Sequence, residues 1–423
     1  YEEFFLLVTN FGTGMSNSNF RDFIPLHGES KIAGQSAREH ADVLVRKNII
    51  VGIFAEWKRL FSESFTGITS AGKVKEGLYF LKPESAPTSV ASKATKQLLA
   101  KLSSSQIRQA CFDIDSKNWR NWQNTEIYLE NHGLRLENLD TSVRDSVLNV
   151  IRLSLSERGY SKTRDIMKLN EFLGQLVGGE GVLGEWSYIF CLFGEPSVRS
   201  PWGWQLFGHH LALNCVFIEG QVIISPTFMG AEPNFADKGK YKGLRVFRDE
   251  ERMGLDLMGS FSADQKTAAL IANSMVGGDL PEGRRQLADG LHLGGAYQDN
   301  RIIPYEGLKG NLLSKKQNIC LLDLVEEYLC FLPSGSLKAR MTEIETHLED
   351  THFCWIGSSK ENEPFYYRIQ SPVILIEFDH HAGVYLTNTE PQNFHVHTLV
   401  RTPNGNDYGV DLIRQHYART KHE

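Results

Sequence analysis

Phe217-Ile218-Glu219-Gly220-Gln221-Val222-Ile223 decides the fold class. Two apolar runs meet at a Glu-Gly pair, the pattern of a tight β-hairpin with its turn at Glu219-Gly220. Outward from it, residues 182–229 alternate and are rich in aromatic and β-branched side chains, behind the breaker Gly178-Gly179-Glu180-Gly181. The stretch before reads as helices: parts of 36–61, where Gly52 weakens one continuous helix, a segment after Ala86-Pro87-Thr88 ending near Ala110, one capped by Asp140 and running to about Leu155, and 162–177. Residues 68–74 read as a hairpin turn. A second helical stretch, about 249–349, includes 262–275, 320–331 and 337–348; strands return over 351–356, 365–379 and 394–401. The expectation is an α+β fold. A mainly helical part, 1–180, precedes a mainly antiparallel sheet part, 181–423, which carries the helical insertion and the site. No long linker separates them, so one continuous body is expected.

The chain has 423 residues and a formal net charge of −6. That composition suits a folded protein with a large core and argues against general nucleic-acid binding, which needs a basic footprint. The longest apolar runs, such as Val373-Ile374-Leu375-Ile376, fall far short of the ~20 residues of a bilayer span. The opening Tyr1-Glu2-Glu3 lacks Met and a basic leader, so a trimmed start and a cytoplasmic protein are expected, with a removed targeting segment left open. The six cysteines form no CxxC pair and sit mostly in apolar stretches, which reads as buried free thiols. There is no repeat of period 20 to 50, and no GxSxG, Walker A, HExxH or Rossmann fingerprint.

The chemistry sits in histidines. Six of fourteen fall in three close pairs: His209-His210, His380-His381 and His395-Val396-His397. If 393–401 is a strand, His395, His397 and Arg401 share one face, and Phe394, Val396 and Val400 take the core. On the preceding strand Glu377 and Asp379 share a face. Antiparallel pairing would bring these carboxylates to the imidazoles. Two imidazoles and a carboxylate suit mononuclear iron, or zinc with an open water position. His395 and His397 are therefore expected metal ligands, joined by His210 or Glu377. His210 shares its face with Asn214, a candidate substrate contact, and His209 beside it is a candidate for proton transfer. His380 and His381 fall in a presumed turn.

Glu232 and Asp379 are candidate acid/base groups. Arg401, and also Arg284 and Arg301, could hold a substrate anion through their guanidinium forks. Trp202 and Trp204, with Tyr366 and Tyr367, could wall an aromatic pocket.

Several of these segments carry a family resemblance. Trp202-Gly203-Trp204 with Gly208-His209-His210-Leu211, Pro226 to Pro233, Phe365-Tyr366-Tyr367-Arg368-Ile369, Glu377-Phe378-Asp379-His380-His381, His395-Val396-His397-Thr398 and Asn406-Asp407-Tyr408-Gly409 together resemble a bacterial and fungal family, the domain of unknown function 3500. The likeness runs from about Phe61 to Arg414. It implies one shared fold. It shifts weight from His381 to Glu377, His395, His397 and His210, and its fungal wording implies a setting in small-molecule biosynthesis.

The expected protein is a metal-dependent enzyme for a small organic substrate, oxidative with non-haem iron, without a nucleotide cofactor and without nucleic-acid or membrane partners. The alternatives are a zinc hydrolase or lyase, a metal-free His/Glu isomerase or cyclase, and a non-enzymatic binding module. Substrate and oligomeric state are not legible.

Overall fold

The computed structural model describes residues 19–26, 29–128, 132–286 and 288–419. Eleven α-helices and twelve strands occur among them: α1 Ala37–Leu44, α2 Asn48–Ser62, α3 Thr88–Leu99, α4 Ser104–Ala110, β1 Cys111–Phe112, β2 Leu134–Arg135, α5 Thr141–Ser154, α6 Glu157–Val177, β3 Tyr188–Phe193, β4 Trp202–Gly208, β5 Leu211–Ile218, β6 Gln221–Ala231, α7 Arg248–Gly259, α8 Ala263–Ala269, β7 Leu270–Ala272, β8 Leu308–Lys309, α9 Lys315–Tyr328, α10 Ser334–Thr346, β9 His352–Gly357, β10 Phe365–Gln370, β11 Leu375–His381, β12 Gln392–Arg401 and α11 Val410–Arg419. The α+β class and the mainly antiparallel sheet are as expected. The hairpin at Glu219-Gly220 joins β5 to β6, and α6 stops at Gly178, whose φ of 65° few other residues adopt cheaply.

One sheet holds all twelve strands, in the order β1-β3-β4-β5-β6-β12-β11-β10-β9-β7, with β2 beside β3 and β8 beside β9. Its centre is the antiparallel pair β6–β12, where His397 lies opposite Gly230. The two halves repeat one another. Phe190-Cys191 and Gly194, then Pro201-Trp202 and Trp204-Gln205-Leu206, recur with identical spacing as Phe353-Cys354 and Gly357, then Pro364-Phe365 and Tyr367-Arg368-Ile369. The registers agree residue for residue: Cys191 pairs with Gln205 and Gln205 with Asn214, as Cys354 pairs with Arg368 and Arg368 with Glu377. Each half also opens with a short helix started by a Ser-x-x-Gln capping box, at Ser103 and Ser262, that runs into an edge strand parallel to the meander. Gly133 and Gly307 precede β2 and β8 with φ of +79° and +86°; a Cβ at either would strike the neighbouring strand at 2.4 Å and 2.2 Å.

Four expectations need correction. The segment from Thr88 to about Ala110 is two helices, α3 and α4, because Ser103 caps a new start, and 365–379 is two antiparallel strands, β10 and β11. The helix expected over 262–275 ends at Ala269, because Leu270–Ala272 pairs with β9. From 273 to 307 the described residues form neither helix nor strand of more than one residue, so the insertion is only partly helical. The turn at 68–74 closes no hairpin; Thr69 makes a single parallel bridge to Ile302.

Successive side chains on a strand take opposite faces, which sorts the candidates. Trp204 and Tyr367 face the helices: Trp204 donates to Ser154 Oγ of α5 at 2.9 Å, and Tyr367 lies 2.6 Å from the Tyr328 hydroxyl of α9. Gln205, Asn214, Gly230, Arg368, Glu377, Asp379, His397 and Arg401 take the other face. There the long connections 113–133 and 273–307 arch over the sheet, as shown by bonds from Gln205 to Trp119 O and from the Leu293 and Gly294 amides to Glu377.

Candidate metal centre

Three imidazoles converge where the two halves meet. His210 sits in the two-residue turn between β4 and β5, in the left-handed region at φ 63°. Its amide donates to Asn124 O at 3.1 Å and its carbonyl accepts from Gly230 N at 2.7 Å, so both arch and central strand hold it. His395 and His397 lie two residues apart on β12, on one face as the alternation requires. His395 Nε2 is 3.1 Å from His210 Nε2 and 3.1 Å from His397 Nε2, and the three ligand atoms all lie within 4.8 Å of one another. Gly230 makes this approach possible: a Cβ there would stand 2.9 Å from Cδ2 of both His210 and His397.

The donor chemistry fits a metal. His395 Nδ1 donates to Ala382 O at 2.8 Å, which fixes the tautomer and leaves one lone pair on Nε2. That single lone pair faces two imidazole nitrogens. One proton can bridge one of the contacts, whereas one cation can satisfy both. Imidazoles bound tetrahedrally at ~2.0–2.1 Å hold their nitrogens about 3.3 Å apart, a spacing the two contacts at His395 Nε2 already approach. Burial presses all three rings well below the ordinary imidazole range, so they are neutral ligands at pH 7.

Around them stand groups with capacity to spare. His381, beyond the β-bulge that ends β11, has its ring centroid 4.4 Å from that of His397; its Nδ1 is 3.0 Å from Ala382 O, and its buried Nε2 has no partner. His292 lies 6.2 Å from His397 between centroids, its Nε2 3.3 Å from Asp379 Oδ1. Burial pushes the Asp379 carboxyl well above the carboxylate range, and presses His292 down to about 4. Sequence reasoning set His381 aside and gave His292 no role. His381 had a readable signal: with His380 packed between Phe365 and Phe378, strand alternation turns its neighbour to the other face. His292 sits in an irregular loop and had none.

The remaining candidates are placed as follows. Glu377 is not in the cluster. It accepts from Leu293 N, Gly294 N and Tyr366 OH at 2.7 to 3.0 Å, anchoring the 273–307 arch. Glu232 stands behind His395, 3.9 Å from Nδ1, where it accepts from the amides of 384–386; burial pushes it up to about 7. His209 turns to α6 and meets Asn170 Oδ1 at 2.8 Å. Arg401 is fully committed to Asp299, Asp407, Gly294 O and Gly295 O. Trp202 stacks on Phe217, and Asn214 is closed by Gln205 and Pro226 O. Arg284 pairs with Glu306, and Arg301 donates to Leu293 O.

Residues 84–410 match the model of the family described as protein of unknown function, DUF3500. The chain belongs to that family. No curated protein and no solved structure matches it. No helix among the described residues is long and apolar enough to cross a membrane. A cavity of about 390 Å³ in this DUF3500 chain, between residues 77–84, β6 and α10, is lined by none of the clustered imidazoles. Its buried Arg340 is spent on Val373 O and Glu343. Convergent donors, rather than volume, single out the imidazole cluster.

Proposed function

We propose that this protein is a mononuclear metalloenzyme acting on a small organic substrate, with His210, His395 and His397 as the protein ligands. The observation that carries this reading is the pair of 3.1 Å contacts at His395 Nε2, whose tautomer is fixed by Ala382 O. Three neutral imidazoles leave a divalent ion its full charge and open positions, the setting for oxygen chemistry with iron(II) or for an acidified water with zinc. Iron(II) is the first metal to test. His381 Nε2 is a buried, unpartnered nitrogen beside the cluster, placed to exchange a proton with a bound substrate. Asp379, whose carboxyl burial pushes well up, and His292 form a polar wall on the side of β11. Glu232 keeps His395 oriented through the 384–386 backbone and takes no part in the chemistry.

Elemental analysis of anaerobically purified protein tests this. The wild type is expected to carry about one equivalent of a transition metal per chain. The His395→Ala/His397→Ala double variant is expected to carry less than ~0.1, as follows when two of three ligands are lost. Equal metal in both would remove these ligands from the account.

A further inference from the structure

The repeat supplies an internal control for a second polar site. In the first half, Gln205 and Asn214 sit opposite one another and bond as neutral groups: Gln205 Nε2 donates to Asn214 Oδ1 at 2.6 Å and to Trp119 O at 2.8 Å, which leaves the uncharged Gln205 Oε1 unpartnered. The fold therefore needs no charge there. The second half places Arg368 and Glu377 at the same two positions, and Tyr366 where the first half has Gly203. The 273–307 arch, longer than its 113–133 counterpart, adds Arg284.

Arg284 and Arg368 are 4% and 1% exposed, and both donate to a single oxygen, Glu306 Oε2, at 2.8 and 2.7 Å. Arg368 also donates to Pro304 O at 3.0 Å, and Arg284 lies over the Tyr366 ring at 4.8 Å. The Glu377 carboxylate is already taken by two amides and the Tyr366 hydroxyl. Only one carboxylate, Glu306, hydrogen-bonds the two buried guanidinium ions; Glu377, opposite Arg368 in the sheet, adds charge but no bond, and Arg284 Nε, Arg284 Nη2 and Arg368 Nη1 are buried with no partner. Buried charge and unpaired donors of this kind are costly unless an anion meets them. Glu306 is the member in reach of solvent, its side chain 31% exposed. It can swing out, and its place between the two forks then fits another oxyanion.

We infer that Arg284 and Arg368 form a binding site for a small oxyanion, a carboxylate or a phosphoryl group, which enters by displacing the Glu306 carboxylate. The site stands apart from the imidazole cluster and does not depend on a metal there: the rings of Tyr366 and His292, 6.5 Å apart, lie between them. Glu306 acts as an internal competitor, so removing its charge strengthens binding, and removing either arginine weakens it.

The test is calorimetric titration of the full chain with sodium succinate and, separately, with inorganic phosphate, against sodium chloride at matched ionic strength; the two arms distinguish a carboxylate from a phosphoryl ligand. Glu306→Gln should bind one oxyanion per chain at least about tenfold more tightly than wild type, a change of ~1.4 kcal/mol. Arg284→Met and Arg368→Gln should each weaken it by at least about tenfold, as expected for lost charge-assisted bonds. Arg368→Gln copies the residue the first half already folds with, and Arg284→Met changes an arch residue, so at least one folded variant is available. The inference is overturned if neither wild type nor Glu306→Gln binds either anion above chloride, if Glu306→Gln binds no more tightly than wild type, or if both arginine variants bind unchanged.

Discussion

Arg401→Met will cost about 3–5 kcal/mol of folding stability, the range for removing one partner from a buried ion network. Arg401 has no solvent exposure. Its Nη1 meets Asp299 Oδ1 at 2.7 Å and Asp407 Oδ2 at 3.0 Å, and Nε and Nη2 donate to Gly294 O and Gly295 O at 2.6 and 2.7 Å. Asp299 also accepts from Arg120 and the Tyr408 hydroxyl, and Asp407 from Ser225 and the Thr402 amide. One side chain therefore ties β12 to both arches and to the segment leading into α11. Methionine fills the volume but leaves two buried carboxylates short of their cation. Lysine should rescue little, because one ammonium cannot replace a planar fork that reaches four acceptors. Urea unfolding of the variants beside wild type measures the loss. A variant within about 1 kcal/mol of wild type, the scale of a surface pair, would return Arg401 to the list of substrate-binding groups.

Acid should unfold the metal-free protein well above the pH at which carboxylates ordinarily titrate. Burial holds His209 and His292 at about 4 and His380 at about 3, with His210, His395 and His397 also well below 6.5. A depressed imidazole contributes stability that is complete above its unfolded value of about 6.5 and is lost as pH falls through the folded value; each one at about 4 withdraws about 2 kcal/mol by pH 5. Raised carboxylates act in the opposite direction. Glu232, Glu251 and Asp289 sit at about 7 and Asp379 is pushed well up, so the folded state gains protons there first as pH falls. These groups offset part of the loss, but the depressed imidazoles outnumber them, so stability falls between pH 7 and pH 5. Urea unfolding at pH 7 and pH 5 in the presence of chelator measures it. Equal stability at the two pH values would mean that the rings are not buried and neutral.

The sequence showed the elements better than their assembly. Alternation placed His395, His397 and Arg401 on one face, and placed Glu377 and Asp379 together, because a strand has only two faces to offer. It could not assign partners across the sheet. Glu377 looked like a ligand because its strand lies beside His397, but only the path of the 273–307 arch shows that two amides reach the carboxylate first. Arg401 looked like an anion clamp because its partners, Asp299 and the carbonyls of Gly294 and Gly295, come from a loop with no periodic signal. Trp204 and Tyr367 looked like pocket walls, although alternation already put Tyr367 and Arg368 on opposite faces. The duplication is faint in the sequence because its halves share few identities; Phe190-Cys191 and Phe353-Cys354 become a repeat only when their registers are laid side by side.

X-ray absorption at the edge of the bound metal tests the three-imidazole centre most directly. The account predicts about three imidazole nitrogens, seen by their ring multiple scattering, with light oxygen donors filling the remaining positions and no sulfur. Thiolate scattering, or a carboxylate-only environment without imidazole, would place the metal elsewhere and contradict the assignment of His210, His395 and His397.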